Sequence, residues 1–236
     1  MNIDLFKQGM AELNLNVTEA QVEKFSRYSA LLKEWNEKMN LTAIVDDDGI
    51  AVKHFLDSIL PLSCVDIPDA AKMADIGTGA GFPGIPIKIM REDMSVTLLD
   101  SLKKRITFLE EVGKDIELKD VVYIHGRAEE FGKNNKYREK YDVVVSRAVA
   151  NLKVLCEYCL PFIKVGGMFV ALKAEDIQEE LNGAKAMIGS LGGVVEDIIE
   201  VPLPKSDIVR KMVVIRKAKN TPTQFPRRPN KIKQQA

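Results

Sequence analysis

A glycine-rich turn between two apolar runs constrains this chain more than any other feature. It reads Asp-Ile-Gly-Thr-Gly-Ala-Gly-Phe-Pro-Gly over residues 75–84. Residues 72–76 before it are typical of a buried strand, and residues 84–90 are typical of a helix with Pro86 in its first turn. Glycine allows positive φ and lets a ligand lie against bare backbone, while the helix N-terminus offers free N–H donors. A strand, a glycine turn and a helix in this order predict a cofactor-binding site.

The turn fits two classes of cofactor. Residues 79–84 match the G-x-G-x-x-G spacing of dinucleotide-binding proteins. Asp75, however, stands just before the first glycine, where a carboxylate disfavours a pyrophosphate and suits a cationic ligand such as S-adenosylmethionine. Asp100 follows the next predicted strand, 95–99, where it can accept hydrogen bonds from the ribose of either cofactor. Asp75 therefore favours S-adenosylmethionine over a nicotinamide dinucleotide, and Asp100 supports an adenosine ligand without choosing between them.

Length and composition indicate a globular protein without a global charge bias. The chain has 236 residues, of which 46% are hydrophobic, enough for one large α/β domain with an extension. Lysine plus arginine equals aspartate plus glutamate at 34 each, so any nucleic-acid binding must use a local patch. No signal-like segment follows Met1, and no stretch approaches the roughly 20 apolar residues that span a bilayer. We expect a cytoplasmic protein without membrane or DNA contacts.

The cysteines do not indicate a metal or redox site. Cys156 and Cys159 have C-x-x-C spacing, but they fall within a helical pattern and have no second pair to complete a zinc site. Cys64 stands alone. We therefore expect packed thiols and no bound metal.

The first 70 residues predict a helical cap. Two amphipathic helices are indicated, and the second begins with a capping box formed by Thr18 and Gln21. A third helix from about residue 47 places His54 and Asp57 on one face, where the carboxylate can hold the imidazole as either a structural or a catalytic pair. Residues 61–71 are expected to form a loop into the main domain.

Residues 71–218 predict the main domain. Helices and short apolar strands alternate there, which indicates a mostly parallel sheet with right-handed crossovers. Near the end, residues 194–201 and 208–216 indicate an antiparallel pair of strands. A last antiparallel strand in a parallel sheet is typical of adenosylmethionine-dependent methyltransferases and not of nicotinamide dehydrogenases. We predict a Rossmann-like class I α/β methyltransferase fold with seven strands, followed by a basic tail over residues 219–236.

Two further strand ends supply candidate ligand contacts. Ala128 and Glu129 follow the predicted strand 121–124, and Arg147 follows the predicted strand 141–145. Ligands of open α/β sheets bind outside the carboxyl ends of the strands. Glu129 is accordingly either an adenine contact or a solvated helix cap, and Arg147 is either a pocket residue, which we favour, or part of a surface ion pair.

The C-terminal tail is rich in basic residues. From Arg216 onward every charged residue is basic: Arg216, Lys217, Lys219, Arg227, Arg228, Lys231 and Lys233. Such a segment is either a solubility tail or a phosphate-binding arm beside an RNA active site.

Several motifs together resemble one known family. They are Asn40-Leu41-Thr42, His54-x-x-Asp57-Ser58, the glycine turn 75–84, Leu99-Asp100-Ser101 with Lys104-Arg105, Arg127-Ala128-Glu129 and Ser146-Arg147-Ala148. This combination resembles the bacterial small-subunit ribosomal RNA guanine-N7 methyltransferase family, also called glucose-inhibited division protein B, over nearly the whole chain. The resemblance implies that S-adenosylmethionine donates a methyl group to a guanine in the decoding-region loop of 16S rRNA.

The resemblance also implies which residues contact the ligands. The implied cofactor contacts are Gly77, Phe82, Ala128, Glu129 and Arg147. Gly79 joins them because it lies in the same turn, and Asp100 joins them as the ribose ligand by the logic of the fold. The candidate RNA contacts are Lys173, in a Leu-Lys-Ala run where the family usually has Leu-Lys-Gly, and Arg227, Arg228 and Lys231 in the tail.

Guanine chemistry implies that the enzyme has no catalytic base. N7 carries a lone pair and no hydrogen, so we expect a mechanism that depends on positioning the reactants. We expect the protein to be a monomer that acts on 16S rRNA or on the small ribosomal subunit. Two other functions stay open from the residues alone: a nicotinamide-dependent oxidoreductase and a non-catalytic RNA-binding factor in ribosome assembly.

Overall fold

The chain begins with the two predicted amphipathic helices, α1 (Ile3–Glu12) and α2 (Glu19–Met39). The structure, a computed structural model, describes residues 1–147, 150–173 and 177–233. The predicted capping box of α2 is confirmed, because the Thr18 side chain accepts a hydrogen bond from the Gln21 backbone and the Gln21 side chain accepts one from the Thr18 backbone.

The third cap helix has an unexpected form. It starts as α3 (Asp47–Gly49), continues as a π-helix (Ile50–Leu56) and ends as α4 (Asp57–Ile59). A further short helix, α5 (Pro61–Cys64), occupies the first residues of the segment expected to be a loop, so that expectation is wrong there. Pro61 begins this helix because a first helical position needs no N–H donor.

The predicted pair of His54 and Asp57 is wrong. Asp57 Oδ2 lies 2.9 Å from Arg147 Nη1, and Asp57 Oδ1 lies 2.7 Å from Arg210 Nε. His54 Nε2 instead lies 2.8 Å from Thr42 Oγ1. The two arginines come from distant strands, and a guanidinium with several donors binds a buried carboxylate better than a neutral ring does.

The main domain is built on a seven-stranded sheet in the order β3-β2-β1-β4-β5-β7-β6. The strands are β1 (Lys72–Ile76), β2 (Ser95–Asp100), β3 (Val121–His125), β4 (Tyr141–Arg147), β5 (Ile163–Lys173), β6 (Gly193–Pro202) and β7 (Val209–Lys217). Strands β1 to β5 pair in parallel, whereas β7 is antiparallel to both of its neighbours, β5 and β6. The prediction of a last strand inserted antiparallel is confirmed.

Helices cover both faces of this sheet. They are α6 (Gly84–Met90), α7 (Lys103–Asp115), α8 (Ala128–Phe131), α9 (Leu152–Cys159) with a 3-10 turn (Leu160–Phe162), α10 (Gln178–Ser190) and α11 (Pro229–Lys233). The sequence pattern 168–173 predicts the core of β5, but the strand begins five residues earlier, at Ile163, and includes Gly166 and Gly167. The same kind of pattern predicts a helix over 175–188, and its first residue, Glu175, lies outside the described residues.

Two hydrophobic clusters lie on opposite faces of the sheet. The first joins the cap to the domain, because cap residues such as Phe25 and Phe55 pack in one cluster with Ile85, Leu98 and Leu109. The second lies beneath α9 and α10. The cap and the main domain, which meet near residue 70 of the sequence, therefore share one continuous hydrophobic core.

The basic tail is folded against the body of the protein. Thr221 and Ile232 are buried, and Phe225 packs into the second hydrophobic cluster. Arg138 donates hydrogen bonds to the carbonyls of Phe225 and Thr221 in this segment. Up to residue 233, the tail is part of the fold.

The remaining expectations concern membranes and thiols. Among the described residues, no helix has the length and apolar character needed to cross a bilayer. Cys156 and Cys159 are fully buried on α9, and burial raises the pKa of both thiols above its usual range. These two cysteines are packed thiols.

Candidate functional site

A cavity of about 670 Å³ opens at the carboxyl ends of β1 to β4. All seven residues predicted to contact the cofactor line it: Gly77, Gly79, Phe82, Asp100, Ala128, Glu129 and Arg147. The cap contributes Leu41, Thr42 and His54, and α9 contributes Val154, Leu155 and Tyr158. The volume lies within the range of small-molecule sites, and the position is where open α/β sheets bind ligands.

Positive φ angles shape the glycine turn on its cavity side. Gly77 and Gly79 have φ of +73° and +62°. The N–H groups of Gly77 and Thr78 donate to the Leu99 carbonyl at 2.8 and 3.1 Å, which fixes the turn to the end of β2. A Cβ added at Gly79 would meet no atom within 4 Å, so this face of the turn is open to the cavity. The turn is a backbone cradle that a side chain would fill.

On its other side the turn packs against the cap. A Cβ at Gly81, where φ is +99°, would lie 2.5 Å from the Tyr28 hydroxyl. That hydroxyl is buried and donates a hydrogen bond to the Ala80 carbonyl. Glycine is required here because the cap approaches the backbone directly.

Asp75 does not line the cavity, contrary to the expectation that it faces a cationic ligand. Its side chain is 0% exposed beneath the turn. Oδ2 accepts hydrogen bonds from Thr78 Oγ1 at 2.6 Å and from the Gly84 N–H at 2.8 Å. Asp75 therefore holds the shape of the glycine turn and the start of α6.

Burial raises the pKa of the Asp75 carboxyl from 3.8 to about 6. Between about pH 4 and 6 the folded protein keeps a proton on Asp75 that the unfolded chain has released, so the contribution of Asp75 to the free energy of unfolding falls as pH rises through this window. Over the whole titration this fall should amount to about 3 kcal/mol. The Asp75→Asn variant cannot ionise at this position, so its free energy of unfolding, measured with urea across the same pH range, should lack this contribution. An equal slope in both proteins would contradict the assignment.

Asp100 is positioned by three donors. Its carboxylate accepts hydrogen bonds from the Gly79 N–H at 2.9 Å, the Leu102 N–H at 2.9 Å and Arg105 Nη1 at 3.1 Å. The side chain is 2% exposed and lines the cavity. Each carboxylate oxygen can accept more than one hydrogen bond, so the group retains capacity for hydroxyl donors.

Ala128 and Glu129 form the neighbouring wall, at the start of α8. Glu129 is buried, and its Oε1 lies 3.7 Å from Nη1 of the exposed Arg127. Tyr158 of α9 joins this wall. No local pattern in the sequence points to Tyr158, because its position depends on how α9 crosses the end of the sheet.

The cap side of the cavity is built around Phe82. The His54 ring stacks on Phe82 with centroids 4.5 Å apart and planes 9° apart, and the Arg147 guanidinium lies 5.0 Å from the Phe82 centroid. Burial, with a smaller contribution from Arg147, lowers the pKa of His54 to about 4. The imidazole is therefore neutral at physiological pH. Asp57 holds Arg147 in place from the cap.

The four candidate RNA contacts have different environments. Arg228 and Lys231 are exposed. Arg227 binds the buried carboxylate of Glu157, with its Nε 2.8 Å from Oε1. Lys173 lies 2.7 Å from Glu180 Oε2 and donates to the Ala150 carbonyl at 3.0 Å. Two of the four are thus committed to contacts within the protein.

Comparison with solved structures identifies the fold. An S-adenosylmethionine-dependent methyltransferase from Aquifex aeolicus superimposes with a TM-score of 0.53 at 15% identity, over 78% of this chain and 97% of that chain. TYW2 from M. jannaschii, solved in complex with AdoMet, gives a TM-score of 0.50 at 14% identity, over 86% of this chain and 77% of that chain. The fold is that of the Rossmann-like adenosylmethionine-dependent methyltransferases.

Sequence comparison identifies the family. The family model for rRNA small subunit methyltransferase G matches residues 21–209. The enzyme named ribosomal RNA small subunit methyltransferase G in Alkaliphilus oremlandii is 50% identical, over 97% of this chain and 95% of its own length, and its namesake in Clostridium novyi is 52% identical, over 96% and 93%. The chain belongs to the rRNA small subunit methyltransferase G family. This confirms the resemblance and decides against a nicotinamide-dependent oxidoreductase.

The cavity residues fit the S-adenosylmethionine cofactor of this family. The glycine turn is open to the cavity at Gly79, the Asp100 carboxylate is fixed and can accept further hydrogen bonds, and the apolar residues Ile76, Leu99 and Leu155 line the cavity. Arg147 lies at the end of β4, whereas Ala128 and Glu129 follow β3, which is three strands away in the sheet. In the described residues, no group of histidines, cysteines and carboxylates is arranged to hold a metal ion.

Proposed function

We propose that the protein methylates N7 of a guanine in the decoding-region loop of 16S rRNA, in the cytoplasm and as a monomer. The observation that carries the proposal is the single cavity shared by the glycine turn and the cap, in a chain of this family. A guanine base that enters beside Thr42, His54 and Arg147 would lie next to the cofactor, because both would occupy the same cavity.

The proposed cofactor contacts are the seven cavity residues named above. Gly77 and Gly79 would lie against the cofactor with bare backbone, and Asp100 would accept hydrogen bonds from its ribose hydroxyls. Ala128 and Glu129 would border the adenine. Arg147 Nη1 donates a hydrogen bond to Asp57 in the cap. The other N–H groups of Arg147 would bind an anionic end of the ligand.

The cavity is suited to positioning rather than to proton transfer. When bound, S-adenosylmethionine supplies a methyl group attached to a positively charged sulfur. Guanine N7 needs no deprotonation, and holding reactants in line can contribute up to roughly 7–11 kcal/mol of barrier reduction. His54 is neutral and stacked on Phe82, so it adds no positive charge beside a purine that becomes cationic.

The rate of methyl transfer should consequently not depend on a general base. In single-turnover assays at saturating cofactor and RNA, we expect the rate to change little between about pH 6 and 9, in the wild type and in single variants of His54, Asp57, His125 and Glu129. A rise with a slope of one that one of these substitutions removes would show that a base is required, and would favour an amino group or ring carbon as the target.

The direct test of the function is to locate the methyl group. Purified protein is incubated with labelled S-adenosylmethionine and either free 16S rRNA or isolated small subunits that lack this modification. Borohydride reduction followed by aniline cleaves RNA at 7-methylguanine. We expect one new cleavage, in the decoding-region loop. Absence of incorporation on both substrates, or a methylated base that resists this cleavage, would contradict the proposal.

We propose two basic surfaces for the RNA. One consists of Arg228 and Lys231 in the tail, which are exposed. The other, which sequence reasoning missed, consists of Lys103 and Lys104 in the first turn of α7, next to the cavity residues Ser101 and Arg105. Cations at a helix N-terminus oppose the helix dipole, so their presence there without an acidic residue in the same turn favours a role in phosphate binding.

Neutralising the tail surface should weaken RNA binding and reduce its dependence on salt. For Arg228→Gln with Lys231→Gln we expect the slope of log K against log salt to flatten by about 1.4, which is about 0.7 for each lost phosphate contact with single-stranded RNA. Filter binding across a salt series measures the slope. Lys185→Gln, an exposed lysine on α10, is the control. An unchanged slope in the double variant would remove the tail from the RNA surface.

A further inference from the structure

Helix α9 separates the cavity from the C-terminal segment. Val154, Leu155 and Tyr158 of this helix line the cavity. Glu157 does not line it and is 0% exposed. A carboxylate so completely buried is costly unless hydrogen bonds and an opposite charge compensate it.

Arg227 compensates Glu157. The Arg227 backbone N–H lies 2.7 Å from Glu157 Oε1, Nε lies 2.8 Å from the same atom, and Nη2 bonds Oε2. The guanidinium also lies 5.7 Å from the centroid of the Phe225 ring. Both the main chain and the side chain of the tail are therefore fixed to the helix that forms a wall of the cavity.

Arg138 makes a second connection between the tail and the cavity. Its guanidinium donates to the Gly132 carbonyl at 2.9 Å, to the Phe225 carbonyl at 2.8 Å and to the Thr221 carbonyl at 2.6 Å. Gly132 ends α8, the helix that carries Ala128 and Glu129. The tail is thus tied to the two helices, α8 and α9, that wall one end of the cavity.

We propose that residues 219–232 support the cofactor site by holding α8 and α9 from the side away from the cavity. Arg227 and Glu157 would be positioning residues that set the distance between these two helices. The inference rests on the proposed placement of the adenine beside Ala128 and Glu129. It gives Arg227 a role in cofactor affinity, where the sequence suggested a contact to RNA. It also makes the tail a structural link between the exposed cations Arg228 and Lys231 and the cofactor cavity.

The test measures the affinity of the full chain for S-adenosylhomocysteine by isothermal titration. Arg227→Gln and Glu157→Gln should each bind it about tenfold more weakly than the wild type, and the double variant should be no worse than either single one, because both remove the same contact. Lys219→Gln, an exposed cation of the same segment, is the matched control and should bind like the wild type. Arg227→Lys, which keeps the charge, is measured alongside in case the glutamine variants do not fold.

A second readout separates positioning from general destabilisation. The ratio of the dissociation constants for S-inosylhomocysteine and S-adenosylhomocysteine should move towards one in Arg227→Gln and Arg227→Lys, since the displaced walls would no longer discriminate between the purines. Wild-type affinity and a wild-type ratio in these variants would overturn the proposal and leave the function intact. Failure of the wild-type protein to bind S-adenosylhomocysteine would instead overturn the proposed cofactor contacts.

Discussion

Gly79→Ala should bind S-adenosylhomocysteine roughly 10- to 100-fold more weakly than the wild type while remaining folded. The added methyl group would point into the cavity, where it meets no protein atom within 4 Å, so it would conflict with the ligand and not with the fold. Filling space that a ligand needs costs about 1–3 kcal/mol, as overpacking does in a protein core. Isothermal titration gives the affinity, and circular dichroism reports the fold.

The chain provides a matched control for this substitution. Gly166 has φ of +86° and also has no atom within 4 Å of an added Cβ, but it is an exposed residue and does not line the cavity. Gly166→Ala therefore carries similar backbone strain, about 1 kcal/mol, without an effect on the ligand. Equal affinities of the two variants would show that the glycine turn does not hold the cofactor.

Asp57→Ala should lower the free energy of unfolding by about 3 kcal/mol, a large part of the total stability of an ordinary domain. The substitution leaves Arg147 and Arg210, which are held in a partly buried site, without their shared carboxylate. It also removes the ion pair that helps to hold Arg147 against the cap, so affinity for S-adenosylhomocysteine should fall as well. Urea denaturation followed by tryptophan fluorescence measures the stability.

The exposed Asp48 of the same helical segment is the control for Asp57. Its carboxylate accepts a hydrogen bond from Asn2 at the surface, and its removal should cost less than about 1 kcal/mol. If Asp48→Ala and Asp57→Ala were equally destabilised, the ion pairs of Asp57 would contribute nothing beyond an ordinary surface contact.

Local patterns were enough to predict the sheet and the turn. The start of β1 at Lys72 and the capping box at Thr18 follow from hydrophobic periodicity and from residues three apart. The cofactor candidates could be named because parallel strands end at one edge, so residues after β1, β2, β3 and β4 must converge there. That rule alone brings Gly79, Asp100 and Arg147 to one cavity.

Contacts between distant parts of the chain could not be predicted in this way. Asp57 meets Arg147 across 90 residues, and Arg227 meets Glu157 across 70. The sequence suggested His54 as the partner of Asp57 and RNA as the partner of Arg227, because nothing nearby in the chain reveals the actual partners. Asp75 was misjudged for a related reason: its position at a strand end was correct, but the direction of its side chain depends on how the turn closes over it.

The reversed direction of β7 decides which of its ends faces the cap. Because β7 runs opposite to β5, its first residues lie at the edge where the other strands finish, and Arg210 reaches Asp57 from there. The partners are 153 residues apart. During synthesis the cap emerges from the ribosome long before this arginine does, so its anchorage is completed only when the last strand is inserted, and a nascent chain that stops after β5 holds the cap by Arg147 without Arg210.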